Sequence, residues 1–529
     1  MSYLKALPFI LLSFFIFSCQ DPETPDTTGP EITALSPSEN AKVNGTATIS
    51  VTVEDLSDEV NLQVFVDDQL IKEQKAKQID ASVDTKSLSE GPHTVKVTAT
   101  DKAGNVTTKT FSVDVRNILF KLQVPSNYVD QESTVYRSIS RNDGTLIALF
   151  QMENGKTISI NTPDDFNADS SFVVTQYFFL DVPYYRFHVV EHYTGIKAGE
   201  FKLPAYVSRS VVGEHDLEIS DVPLEPQQQV RFGGSQTSST SGSFGDQSPI
   251  KTKVSMLAAS SELFLSFFEQ SEKAPVYKFI NSIETGGSTK LSFSDFIPMT
   301  RANVSLTFEG YHSTVTGFKD ASSVGVRVFE KEGAANDKQL PLYYPGNVYP
   351  AYSFFISSNG YSNLVTGTTP PTAIKELSGE IKNLSLANGK LTLRTSGDFD
   401  LVTVSTNTFS YDEASGQSET YVRSVWFPAG NSHHITLPPI PQQLSDYNFP
   451  MPTRASEFKF GSMTDYLSLS GQNDYQSKVV FSSDNKFPAD RDNYTKSLVV
   501  NTTGGRVRST HLPKEVQERL KRYLPMIGF

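Results

Sequence analysis

Between Glu31 and Arg116 apolar and polar residues alternate with a period of two in one short run after another. Ile49, Val51 and Val53 fall on one side of such a run, as do Leu62, Val64 and Val66, then Val95, Val97 and Ala99, then Phe111, Val113 and Val115. A strand turns successive side chains to opposite faces, so each run predicts a strand with one apolar face. Turn-forming residues separate them: Asn44-Gly45, Asp67-Asp68, Glu90-Gly91-Pro92 and Asp101 to Asn105 with Gly104 inside. Short strands at this regular spacing predict two sheets closing over one core.

Strand-like runs continue beyond Asn117: Thr145 to Met152, Phe172 to Leu180, Arg186 to Val190, Val324 to Phe329, Lys390 to Arg394, Leu401 to Val404, Tyr421 to Phe427 and Lys478 to Phe481. They are rich in Val, Phe, Tyr and Thr, and they predict an all-β fold. Gly233 to Gly245 is Gly, Ser and Thr with little to bury, which predicts a linker or loop. A second boundary is expected at Thr366 to Thr372. Val254 to Gln270 has mixed periodicity and stays open between helix and strands. Leu512 to Tyr523 predicts a short C-terminal helix, with Pro513 in its first turn and Val516, Leu520 and Tyr523 on one face.

A chain of 529 residues exceeds what one hydrophobic core supports, so several domains are expected. The expected division is 1–18 as a signal segment, 19–30 as a tether, 31–116 as the first sandwich, 117–232 as a β-rich domain, 233–245 as linker or loop, 246–372 as a second β-rich domain, and 373–529 as a sandwich-like domain ending in the helix. A formal net charge of −13 argues against nucleic acid as a partner, since phosphate binding needs clustered Lys and Arg.

The single cysteine, Cys19, leaves no intramolecular disulfide, and it follows an apolar stretch from Ala6 to Phe17 that is too short for a permanent membrane span. Ile16-Phe17-Ser18-Cys19 resembles the lipobox of bacterial lipoproteins, departing from the usual pattern at Phe17. The resemblance implies cleavage before an acylated Cys19, with several acyl chains holding the protein to a membrane. Gln20-Asp21-Pro22-Glu23 looks like the acidic export signal of Bacteroidota-type surface lipoproteins, which implies an outer-membrane, surface-exposed location. The Pro, Thr and Asp residues that follow to Pro30 predict an extended tether.

The strand Val51 to Asp55, the hairpin Val64 to Asp68 and above all the block from Leu88 to Asn105 resemble the bacterial immunoglobulin-like domains found in tandem on surface proteins. The resemblance covers about 31–116 and implies a spacer or adhesive module rather than catalysis.

Candidate chemistry is sparse. His188-Val189-Val190-Glu191-His192 matches the HxxEH string of inverted zinc metallopeptidases, with Glu262 or Glu269 as a possible third ligand. Zinc needs both histidines one helical turn apart, yet the flanks are aromatic and β-favouring. On a strand the two residues stand about 13 Å apart at ~3.3 Å per residue, too far for one ion. His433-His434 offers a pair without a third histidine nearby. Calcium is the better metal candidate, through Asp55, Asp67 and Asp101 among the carboxylates at strand ends; the alternative is that these residues cap turns. Tyr343, Tyr344, Tyr349 and Tyr352 lie in a Tyr/Pro/Gly/Asn tract that would suit a loop stacking on sugars or protein, or else would fill a sandwich edge.

These observations predict a lipid-anchored, non-catalytic binding or adhesion protein, with no cofactor other than calcium and with a surface glycan or protein as ligand. Two alternatives stay open: a glycan-capturing or glycan-degrading component of a polysaccharide-utilisation system, and a structural envelope protein.

Overall fold

The alternation in the first hundred residues becomes strands whose apolar positions point inward. Thr46–Glu54 buries Ile49, Val51 and Val53, Asn61–Val66 buries Leu62, Val64 and Val66, and Gly91–Thr100 buries Val95, Val97 and Ala99. In the computed structural model, Glu31–Ser36, Thr46–Glu54 and Gln78–Asp84 form one sheet. Ala41–Val43, Val106–Val115, Gly91–Thr100, Asn61–Val66 and Gln69–Lys75 form the other, and the buried residues fill the space between. Asp67 and Asp68 join the last hairpin with φ of 47° and 64°, the double left-handed turn that matches the twist of the flanking strands. The chain divides into two units, Met1–Asn117 and Ile118–Phe529. The structure describes residues 26–466, short loop segments apart, and residues 475–476 and 494–500. Cys19, the run Lys478 to Phe481 and the expected helix Leu512 to Tyr523 lie outside the described residues.

The second unit is also built from strands, arranged as four two-layered packings. In the first, Thr157–Asn161, Ile118–Gln123 and Gly199–Lys202 cover Leu146–Gln151, Ser133–Ser140, Phe172–Val182 and Tyr185–Ile196 over a core rich in phenylalanine. In the second, Ile250–Met256, Gly213–Ser220 and Ser288–Ser292 face the sheet of Thr240–Ser243, Gln229–Gly233, Ser260–Phe268, Val276–Glu284 and Ile297–Pro298. In the third, Gln339–Tyr344, Thr300–Leu306 and Ala373–Ile374 lie over His312–Phe318, Val326–Glu332, Ala351–Ser358 and Tyr361–Gly367. In the fourth, Gly379–Ala387, Lys390–Gly397 and Ser432–Thr436 lie over Leu401–Asp412, Gln417–Pro428 and Phe460–Tyr466. One twelve-stranded sheet supplies a layer to the first, third and fourth packings. Its first and fourth parts join through the parallel pairing of Tyr185–Ile196 with Gln417–Pro428, from Tyr185 opposite Ser418 to Tyr193 opposite Trp426.

Two expectations change, and one open reading is decided. The Gly/Ser/Thr stretch 233–245 is not a linker: Gln229–Gly233 pairs with Thr240–Ser243, and with Ser260–Phe268 on its other side. Its small residues serve close approach, since a Cβ on Gly234 would stand 1.9 Å from the carbonyl oxygen of Glu262. The expected break between 232 and 246 falls inside one packing, because Ile250–Met256 pairs with Gly213–Ser220. Val254 to Gln270, open between helix and strands, contains the end of strand Ile250–Met256 and the whole of Ser260–Phe268.

Candidate functional site

The HxxEH string lies on the strand Tyr185–Ile196, between Phe172–Val182 and Gln417–Pro428. His188 and His192 share one face and Glu191 takes the other, so the three cannot converge on one ion. All three are buried. His188 Nε2 lies 2.8 Å from Asp181 Oδ1. His192 Nδ1 lies 2.9 Å from Thr175 Oγ1, and Arg423 Nη1 donates to His192 Nε2 at 3.0 Å. Burial, and then the Arg423 charge, push the His192 pKa well below the usual histidine range. On the opposite face Arg137 donates through Nε and Nη2 to Gln176 Oε1, and the Gln176 amide and the Tyr193 hydroxyl donate to Glu191 Oε2 at 3.4 and 2.7 Å. Burial pushes the Glu191 pKa up to about 7 against the opposing pull of Tyr193 and Arg137.

The other ligand candidates are engaged elsewhere. Glu262 is buried and accepts from the backbone N–H and hydroxyl of Ser235 at 2.7 and 2.9 Å. Glu269 lies outside the described residues. On Ser432–Thr436 the adjacent His433 and His434 face opposite ways, His433 buried against Gly430 O and Thr395 Oγ1, His434 exposed.

The tyrosine tract is interior rather than a stacking surface. Tyr343, Tyr349 and Tyr352 belong to the core of the third packing, and only Tyr344 is half-exposed. The Tyr352 hydroxyl donates to Gly346 O at 2.6 Å and accepts from Tyr349 N, tying the turn Gly346–Val348 inward. Tyr349 seats where Gly317 has no side chain: a Cβ there would stand 2.3 Å from the ring. The Tyr277 hydroxyl donates to Pro345 O, so the tract also joins the second packing to the third.

In the first unit the turn from Asp101 to Asn105 holds the incoming chain. Gly104 takes φ of 93°, and Asp101 accepts from Asn105 N and Nδ2, both at 2.8 Å. The same Asn105 amide donates to the carbonyl oxygens of Asp26 and Thr28 at 3.1 and 3.2 Å. Asp26, Asp55 and Asp101 thereby come together, each offering an oxygen within 4.8 Å of the others. Each also caps a local turn, Asp55 at Ser57 N and Asp26 at Thr28 N. Desolvation works to raise the Asp101 pKa, but the hydrogen bonds of Asn105, Gly104 and Ala103 together outweigh it and hold the carboxyl below the usual range. Asp67 is not part of this group. It follows Val66, which pairs with Val95, whereas Asp101 follows Thr100, which pairs with Asn61, so the two aspartates stand at opposite ends of one strand pair. Asp67 Oδ2 instead meets His93 Nδ1, and Asp67 Oδ1 accepts from Thr94 N at 2.9 Å.

Residues 30–97 match the family model described as Bacterial Ig domain. The first unit carries an Ig-like domain. The chain is also similar to several solved structures. Part of the chain is similar to the endo-beta-1,4-mannanase from Thermotoga petrophila, at 16% identity over 17% of this chain and 20% of that one, with a TM-score of 0.15. It thus spans about a fifth of the mannanase's length. The fibronectin(III)-like modules of Clostridium thermocellum CbhA are similar at 14% identity over 29% of this chain and 86% of that one, TM-score 0.15. SGBP-B of the Bacteroides ovatus mixed-linkage glucan utilization locus, solved with a mixed-linkage heptasaccharide, is similar at 12% identity over 64% of this chain and 99% of that one, TM-score 0.16. At such TM-scores these likenesses carry no argument about function. No curated protein matches the sequence.

Within the Ig-like domain the candidate calcium ligands Asp55 and Asp101 come together and Asp67 does not, while Asp26, hidden in the tether composition, joins them. In the second unit the sequence held no local sign of the Arg137, Gln176 and Glu191 row or of Arg423, whose partners lie 39 and 231 residues away.

Proposed function

We propose that this chain is a lipid-anchored surface protein that binds or adheres without catalysis, its Ig-like domain spacing the larger β unit from the membrane. The observation that supports this most is the clasp at Asn105. The Pro/Thr/Asp tether that follows the lipobox-like Cys19 runs into an Ig-like domain, and the Asp101 to Asn105 turn grips it at Asp26 and Thr28. Acylation of Cys19 would hold the protein at the outer membrane, with the acidic Gln20 to Glu23 segment directing it to the outer surface. The HxxEH residues do not converge on one ion and the Glu262 carboxylate is held by Ser235, which speaks against a zinc peptidase. Among the described residues no helix is long and apolar enough to cross a membrane.

Calcium fits the Ig-like domain through Asp26, Asp55 and Asp101, an all-oxygen donor set of the hard kind this ion takes. There it would brace the clasp.

A binding screen of the soluble chain from Gln20 on glycan and envelope-protein arrays, run with calcium and with chelator, tests the reading. Reproducible binding to a polysaccharide class supports glycan capture, and binding to a protein supports adhesion. Turnover of any arrayed glycan would contradict the non-catalytic assignment.

A further inference from the structure

One face of the twelve-stranded sheet carries an arginine with two of its three nitrogens unpaired among the described residues. Arg423 lies on Gln417–Pro428, beside Val190 on one side and Thr406 on the other, and is 1% exposed. Its Nη1 donates to His192 Nε2. A guanidinium only donates, so that nitrogen accepts and the neutral His192 ring turns its Nδ1–H to Thr175 Oγ1. Nε and Nη2 remain, the two parallel donors along the side of the fork. Both are buried, and neither has an acceptor among the described residues.

The surroundings favour an anion there. Among the described residues no carboxylate pairs with Arg423, burial lowers its pKa to about 10, and the Phe449 ring lies 5.7 Å from Cζ. A buried cation without a carboxylate is costly, and a planar carboxylate is the group that meets a guanidinium edge with two parallel hydrogen bonds. One neighbour adds to the pattern: His188, on the adjacent strand opposite Tyr421, has an Nδ1 that is also buried and without a partner among the described residues. Among the described residues one segment covers this face. Leu444, inside the turn Gln442–Tyr447, and Phe449, just after it, pack down beside Tyr177, Phe179 and Val190, and the turn has no side-chain cap.

We propose that the Nε and Nη2 edge of Arg423 binds the carboxylate of a small ligand beneath the segment that holds Leu444 and Phe449, which lifts to admit it. A free monocarboxylate and a uronic acid share this chemistry. The site does not depend on where the chain is anchored or on what it binds at a surface.

Calorimetric titration and thermal unfolding of the chain from Gln20, with sodium acetate in one arm and sodium glucuronate in another, each against sodium chloride at equal ionic strength, test the site. Saturable heat and a raised Tm with acetate, absent with chloride, are expected; a response to glucuronate alone would keep the fork and assign the carboxylate to a sugar. Arg423→Lys keeps the charge and loses the fork, and is expected to weaken binding about tenfold or more. Should that variant fail to fold, Phe449→Leu, which alters the ring over the guanidinium and keeps the charge, is expected to change the acetate affinity. Wild-type chain showing neither heat nor a Tm shift in either arm overturns the proposal, as does acetate binding that both variants leave unchanged.

Discussion

His93 faces two acceptors at once, Asp67 Oδ2 at Nδ1 and the carbonyl oxygen of Ser89 at Nε2. Only the imidazolium can donate to both. Desolvation works to lower the His93 pKa, but the Asp67 and Ser89 bonds outweigh it and leave it raised. Asp67 is correspondingly lowered, the His93 and Thr94 bonds outweighing desolvation. The His93 contribution is therefore complete below the ordinary histidine value of 6.5 and is lost as pH rises through its higher folded value. That of Asp67 is complete above 3.8 and is lost as pH falls through its lower folded value. The Ig-like domain should lose Tm between pH 6 and pH 9, and His93→Gln should lose less; equal losses in calorimetry would count against the pair. Glu191 runs in the same direction for a different reason. Its carboxyl, raised to about 7 by burial, favours folding below 4.5 and loses that advantage as pH rises through 7, a difference of about 3 kcal/mol. Denaturation of the second unit at pH 5 and pH 8 should show that loss, and Glu191→Gln should flatten it. For the tyrosines, Tyr349→Ala should cost about 3–5 kcal/mol, as expected for an aromatic ring taken from a packed core, whereas Tyr344→Ala at its half-exposed position should cost less. Asp55 and Asp101 could be singled out in the sequence because acidic residues at strand ends are a local signal. The tyrosines misled because composition alone does not say which side of a strand end faces the core.

Elements were most legible where one face meets water. Thr46–Glu54 and Asn61–Val66 alternate cleanly because only one side of each is buried. Phe172–Val182 and Ser260–Phe268 are buried on both faces along most of their length, so their sequences lose the period of two, and the second could not be told from a helix. The Gly/Ser/Thr stretch failed for the opposite reason: the apolar residues of its hairpin, Val230 and Phe232, come before it, and Gly234 within it serves close approach rather than apolar area. Gly234→Ala tests this: with its Cβ 1.9 Å from Glu262 O, the variant should be destabilised by about 1–3 kcal/mol in urea denaturation, while a linker would tolerate it. The parallel pairing at Tyr185 and Ser418 joins segments more than two hundred residues apart, and neither strand carries a mark of its partner.

At the scale of the molecule, an Ig-like domain precedes a unit of four sandwich-like packings, three of which share one sheet. The all-β class follows from strand-forming composition along the whole chain, but the shared sheet and the true positions of the breaks depend on long-range pairing. The motif residues that promised chemistry were absorbed into packing, leaving the tether and its clasp as the strongest functional indication. On the proposed reading, acylation at Cys19 would make that tether meaningful. The most direct measurement is fractionation of cells producing the parent or Cys19→Ala, with external protease applied to intact cells. The account predicts that the parent stays with the outer membrane and is cleaved from outside, and that Cys19→Ala moves to the soluble fraction. A Cys19→Ala variant that stays in the membrane as fully as the parent, or a parent shielded from external protease, would contradict it.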